Sequence, residues 1–212
     1  MIQSKANCIL QSVGVTFPST SVKEYIGQIM EFLIADIDTK GKMYKKPVLT
    51  ALFVLNNIHY VLKSIKGTGL TEVMELTMIE NMEKIIKKQL DIYRSSWIPL
   101  IEHLMDNTKI SDQGKIVTQL SAKQKDAIKE RFTKFNKDFD EAFTTQKAYA
   151  IPDPELRSQV IKEVRQILCP MFDRFYDKYT TNLEFTKNID KYVKYNKEEL
   201  SAKLDALFDA SS

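Results

Sequence analysis

The chain has 212 residues, 43% of them apolar and 28% charged, and a formal net charge of +3. That length suits one substantial domain burying roughly 70% of the surface its unfolded form would expose. The longest uninterrupted apolar run, Ala51 to Leu55, falls far short of the ~20 residues that cross a bilayer, and the start has no signal-peptide core. A cytosolic chain is expected, with Cys8 and Cys169 as unpaired, reduced thiols because they lie far apart without a spacing pattern.

Six glycines and six prolines are few for this length, which favours a small number of long elements. Helical periodicity dominates. Ser21 and Glu24 are spaced as a capping box, and Tyr25, Ile29, Phe32 and Leu33 then place apolar groups on one face of a helix ended by Gly41. Pro47 suits the first turn of a second helix carrying Leu52, Leu55, Ile58, Leu62 and Ile65, closed by Gly67 and Gly69. A third stripe, Ile79, Met82, Ile86, Leu90, Tyr93, Trp97, Leu100 and Leu104, predicts one helix from Leu70 to Met105, on the order of 50 Å long.

Residues 106–120 are polar and broken by Gly114, a loop. Ser121 with Gln124 offers a second capping box, followed by Ile128, Phe132, Phe135, Phe139 and Phe143 within about an 80° sector. Asp153-Pro154-Glu155 has the chemistry of a helix start: a side-chain cap, a first-turn proline and an acid at the positive end of the dipole. Val160, Val164, Ile167, Met171, Phe175 and Tyr179 follow, with a kink predicted at Pro170. A last helix starts near Asn196 and buries Leu200, Leu204, Leu207 and Phe208. No period-two segment stands out. The predicted fold is all-α, an elongated rod of antiparallel helical bundles.

The uneven charge lies near the end. In Phe185–Lys197, Lys187, Lys191, Lys194 and Lys197 against Asp190 give +3, equal to the net charge of the whole chain. Tyr192 and Tyr195 alternate with these lysines, a composition suited to phosphates at an aqueous boundary. A second basic set, Lys123, Lys134 and Lys137, lies opposite the phenylalanines and reads as solvated helix surface, because Asp138, Asp140 and Glu141 adjoin it.

Catalytic patterns are missing. His59 and His103 lack zinc-ligand spacing, Gly67-Thr-Gly69 lacks a dinucleotide fingerprint, and Gly114-Lys115 lacks the rest of a phosphate loop. No Gly-x-Ser-x-Gly motif occurs. No enzyme activity, metal, cofactor or nucleic-acid partner is expected.

Several blocks, taken in order, resemble the C-terminal region of the family of exocyst complex component seven, the seventy-kilodalton subunit of the exocyst tether. They are Leu55–Ser64 (LNNIHYVLKS), Tyr93–Trp97 (YRSSW), Ile128–Phe132 (IKERF), Gln146–Asp153 (QKAYAIPD), Phe185–Asn188 (FTKN), Lys191–Tyr195 (KYVKY) and Leu207–Ser212 (LFDASS). The resemblance spans roughly residues 19–212, as one C-terminal helical-bundle region, and leaves 1–18 unassigned. It implies a rod of stacked bundles and a non-catalytic role in exocytosis, tethering secretory vesicles at the plasma membrane. It also implies partners: other exocyst subunits, Rho-family small GTPases and the phosphoinositide-containing plasma membrane, with the chain cytoplasmic and peripheral at sites of exocytosis.

The family's residues for phosphatidylinositol 4,5-bisphosphate fall on Lys191 and Lys194, with Lys187 in the same motif; Lys197 is added from charge alone. Where the family has proline after the asparagine, this chain has Ile189, a less rigid turn. The chain also corresponds to only the C-terminal part of a typical member. Four lysines at an anionic surface contribute about 1 kcal/mol each, roughly millimolar affinity in total. The competing reading is a helical interaction scaffold whose lysines dock an acidic protein partner without lipid.

Overall fold

A computed structural model of the chain describes residues 22–72, 74–105, 119–208 and, as backbone, 111–112 and 115–116. The residues fall into two compact units, Met1–Ile92 and Tyr93–Ser212. Cys8, Ser21 of the first capping box, Gly114 and the last four residues lie outside the described set.

In the first unit, α1 (Val22–Gly41) packs on α2 (Pro47–Thr68), followed by a 3₁₀ turn (Leu70–Glu72) and the start of α3 (Leu76–Ser95). At Gly41 the end of α1 comes close to α2. A Cβ there would stand 2.7 Å from the Val54 side chain, and the Gly41 carbonyl accepts a 3.0 Å bond from the Thr50 hydroxyl. Gly69 closes α2 at φ 71°, a left-handed cap open to glycine without a steric penalty. By length and composition α2 could cross a membrane. Its residues Val54, Ile58, Leu62 and Ile65 instead form the core with Ile37, Met74 and Met82.

The expected inward face of α1 is corrected. Tyr25, Ile29 and Phe32 point outward, Phe32 being 76% exposed, while Ile26, Met30, Leu33, Ile34 and Ile37 pack inward. The two stripes run side by side at the same period. The helix is apolar over a wider arc than the ~100° a buried face needs, so periodicity alone leaves its rotation open.

The single long helix is also corrected. α3 ends at Ser95 and α4 (Ile98–Leu104) begins after a tight turn in which the Ser96 and Trp97 amides reach back to Tyr93 and Arg94 at 3.1 Å. Pro99 is the cause: it has no N–H for the Ser95 carbonyl, and its ring disfavours helical backbone just before it. The apolar stripe nevertheless crosses the break, and Tyr93, Trp97, Leu100 and Leu104 are all buried.

The second unit holds α4, an antiparallel pair of two-residue strands, β1 (Ser111–Asp112) and β2 (Lys115–Ile116), then α5 (Ala122–Lys147), α6 (Pro154–Asp177) and α7 (Lys197–Asp205). The expected all-α class holds, with that short pair the sheet among the described residues. The capping box of α5 is complete: the Ser121 hydroxyl accepts from the Gln124 amide at 3.3 Å and the Gln124 side chain accepts from the Ser121 amide at 2.8 Å. Asp153 caps α6 through the Leu156 amide at 2.9 Å. The α6 core stripe is Leu156, Val160, Val164, Leu168, Phe172 and Phe175, so Ile167 and Met171, expected inside, are only half-buried. Pro170 stands within α6, which continues through it to Asp177.

This core is aromatic. Phe132, Phe135 and Phe139 on α5 meet Phe172 and Phe175 on α6, with ring centroids 4.8 Å apart for Phe132–Phe175 and 5.3 Å for Phe135–Phe172. Trp97 lies against Phe139, and Leu200, Leu204, Leu207 and Phe208 are buried as expected.

Candidate functional site

The lysine-bearing stretch is a loop pinned to this aromatic core. The end of α6 passes through a π turn (Lys178–Asn182), and the chain then seats Leu183 and Phe185 inward. Phe185 stacks on Phe132 at 5.4 Å and takes the edge of Tyr192 at 6.2 Å. Between these two rings the chain makes a 3₁₀ turn (Ile189–Lys191), the Ile189 carbonyl accepting from the Tyr192 and Val193 amides at 2.9 Å. A helical side chain fixes the far side, since the Asn136 amide donates to the Tyr192 carbonyl at 2.7 Å. Asn196 then caps α7, its side chain accepting from the Glu199 amide at 2.7 Å and its own amide donating to the Glu199 carboxylate at 2.9 Å. Ile189, where the resembling family has proline, thus opens a turn fixed by hydrogen bonds and flanking rings.

The four lysines differ in what surrounds them. Lys187 and Lys191 are exposed and make no ion pair among the described residues, although the Lys191 ammonium stands 5.7 Å from the Tyr192 centroid. Lys194 is bound at 2.5 Å to Asp140 of α5, and Lys197 at 2.6 Å to Asp177 of α6. Asp140 also accepts from the Tyr195 hydroxyl. Burial alone would push the Asp140 carboxyl up. The Lys194 ammonium, the Tyr195 hydroxyl and the charge of Lys203 outweigh that and hold it below the usual carboxylate range. Lys194 is raised in turn, chiefly by its bond to Asp140, and Lys197 by its bond to Asp177.

The expected role of the tyrosines changes. Tyr195 is only 6% exposed, edge-on to Phe139 at 5.4 Å, and Tyr192 is half-buried. They anchor the loop, and its lysines carry the outward chemistry. Two further lysines adjoin these rings without sequence adjacency. Lys129 of α5 lies 5.9 Å from the Tyr192 centroid, and Lys203 of α7 lies 5.5 Å from that of Tyr195. The available signal was spacing along α5: Lys129, Asn136 and Asp140 share one stripe beside the buried phenylalanines, so whatever covers those rings meets them.

Elsewhere, the His103 ring nitrogen is 2.7 Å from Asp138, and no group of three metal-ligating side chains occurs among the described residues. Cys169 is half-buried, and burial with the charge of Asp173 pushes its thiol up, away from a reactive thiolate. A cleft of about 480 Å³ in the first unit has a floor of Ile34, Val54, Ile58, Met78 and Ile85.

Residues 6–206 match the family model for the C-terminal region of Exo70, a subunit of the exocyst complex. The chain is 31% identical over 205 residues to human exocyst complex component 7, covering 95% of this chain and 27% of that protein. It is 34% identical over 193 residues to the Drosophila melanogaster protein of the same name, covering 89% of this chain and 27% of that one. The solved structure of Saccharomyces cerevisiae Exo70 superposes with a TM-score of 0.62 at 28% identity, over 76% of this chain and 28% of that one. The chain thus spans about a quarter of the length of these relatives.

Proposed function

The chain belongs to the Exo70 family, matching the C-terminal region of that exocyst subunit, and from that premise we propose that it is the lipid-contacting part of a non-catalytic vesicle tether. In this reading the 185–197 loop meets phosphoinositide headgroups on the cytoplasmic face of the plasma membrane. Other exocyst subunits and a Rho-family small GTPase engage the protein during exocytosis. The observation that carries the lipid contact is the fixed loop itself. Phe185, Tyr192 and Tyr195 hold it to the core, leaving Lys187, Lys191 and Lys194 exposed.

The ion pairs lower the strength expected of it. With Lys194 and Lys197 engaged by Asp140 and Asp177, Lys187 and Lys191 alone contribute about 2 kcal/mol at an anionic surface, weaker than millimolar. Residence on a membrane then needs several headgroups or several tethers acting together. A contact of that strength forms and releases readily, which suits capture before fusion better than permanent anchoring.

The carboxylates already held by Lys194 and Lys197 favour a second reading, in which the loop docks an acidic protein segment. Co-sedimentation with vesicles containing phosphatidylinositol 4,5-bisphosphate separates the two. Lys191→Ala with Lys194→Ala should weaken pelleting at least about fivefold, and unchanged pelleting would sink the lipid reading at this loop.

A further inference from the structure

The turn between α1 and α2 carries a second basic cluster, remote in sequence from the 185–197 loop. From Asp36 to Lys46 four lysines stand against two aspartates, a local charge of +2. Lys40 bonds Asp36 at 2.8 Å and Lys42 bonds Asp38 at 2.6 Å, each about one helical turn back. Lys45 and Lys46 are exposed and make no ion pair among the described residues. Met43 lies in sequence between Lys42 and this free pair. At 79% exposure it is the most exposed large apolar side chain among the described residues.

Hydrogen bonds and ring packing fix the turn. The Met43 amide donates to the Lys40 carbonyl at 3.1 Å and the Tyr44 amide to the Gly41 carbonyl at 3.2 Å. From α2, the Thr50 hydroxyl donates to the Gly41 carbonyl at 3.0 Å. The Tyr44 ring rests against Phe53 of α2, centroids 5.3 Å apart, and is still 43% exposed. A lone exposed methionine is ordinary. This one is held at the end of a helix pair, beside a part-exposed tyrosine and two unpaired ammonium groups.

We infer that the α1–α2 turn is a contact for an anionic lipid bilayer, with Lys45 and Lys46 among the headgroups and Met43 entering the acyl boundary. The projecting methionine favours a bilayer over a protein partner. A bilayer takes in a single apolar side chain at its headgroup boundary without a preformed pocket. Tyr44 suits the same depth, with its ring on apolar ground and its hydroxyl in water. The contact goes beyond the phosphoinositide reading above, since it lies in the first unit and uses none of residues 185–197. It also asks for surface charge rather than a particular headgroup, because an ammonium on a flexible stem acts as a point charge.

The test uses the whole chain with Met43→Trp as a reporter. Trp97 is the single native tryptophan and is buried, so the wild-type chain supplies the background emission. Vesicles of phosphatidylcholine with phosphatidylserine should shift the new emission to the blue, and brominated acyl chains should quench it. Vesicles of phosphatidylcholine alone should do neither. Lys45→Gln with Lys46→Gln should raise the lipid needed for half the shift roughly 25-fold, the share of two surface lysines. Lys45→Arg with Lys46→Arg should keep the original value. Lys84→Gln with Lys87→Gln, an equal loss of charge at exposed α3 positions, should do markedly less.

The shift should persist when Lys191→Ala and Lys194→Ala are added. If it does while those two substitutions leave phosphoinositide pelleting unchanged, the C-terminal loop reading falls and the α1–α2 contact stands. A chain that pellets with anionic vesicles without any change in emission at position 43 overturns the α1–α2 contact and leaves the loop reading intact. Equal effects of the Lys45/Lys46 and Lys84/Lys87 substitutions also overturn it. So does an emission shift produced by polyglutamate but not by vesicles, which would make the turn a dock for an acidic protein.

Discussion

Asp140→Asn is the most informative perturbation of the loop, because affinity and stability should move in opposite directions. Asp140 holds Lys194 at 2.5 Å and accepts from the Tyr195 hydroxyl. Asparagine keeps an oxygen for that hydroxyl and removes the charge. The ion pair is well exposed, 53% on the lysine side and 36% on the aspartate side, so its loss should cost no more than about 1 kcal/mol of stability. Lys194 is then released to the surface, and one more lysine at an anionic bilayer contributes about 1 kcal/mol. Vesicles with phosphatidylinositol 4,5-bisphosphate should accordingly bind about fivefold tighter. Urea unfolding and co-sedimentation on the same preparation read the two effects. A variant that is less stable and binds no tighter would refute the idea that Asp140 competes with the membrane for Lys194.

The same pair fixes a pH signature. The folded carboxyl of Asp140 sits below its unfolded value, so its stabilisation is fully present above about pH 3.9 and lost as pH falls through the depressed folded value. The stability gap between wild type and Asp140→Asn should therefore be constant at neutral pH and close in acid. Tyr195→Phe removes one hydroxyl bond and should cost about 1–2 kcal/mol in urea unfolding while vesicle affinity stays within about twofold. Tyr195→Ala empties a buried ring position and should cost about 3–5 kcal/mol, with the loop amides gaining fast hydrogen exchange. Asn196→Ala deletes the cap of α7 and should lower stability by about 1 kcal/mol, read by the same unfolding curves.

What the sequence disclosed about the fold follows from which forces are local. Caps are local chemistry: Ser121 with Gln124, and Asp153 before Pro154, place helix starts by side-chain geometry within a few residues, and both occur where expected. The rotation of a helix is a tertiary property. α1 has apolar groups at Tyr25, Ile29 and Phe32 and again at Ile26, Met30 and Leu33, and only contact with α2 decides between them. The break at Ser96 and Trp97 was hidden because the stripe of Tyr93, Trp97, Leu100 and Leu104 stays in phase across it. Pro99 was the available signal, and the continuity of that stripe masked it.

The site divides in the same way. Its cations were legible because four lysines within eleven residues survive any fold as a charge excess. Their partners were not, since Asp140 lies 54 residues from Lys194 and arrives only when α5 packs under the loop. Local composition misplaced the tyrosines for a related reason. A ring with a polar tip suits a membrane boundary and a buried anchor equally well, and what decides is whether an apolar partner faces it. Phe139 faces Tyr195 at 5.4 Å, and Phe185 faces Tyr192 at 6.2 Å. Turning the rings inward has a consequence for binding. A free tail must lose its chain entropy when its lysines settle on a surface, at about 1–2 kcal/mol for each residue ordered, which would cancel the gain from one lysine. A loop already fixed by Phe185, Tyr192 and Tyr195 loses little, so even two accessible lysines retain most of their small gross attraction.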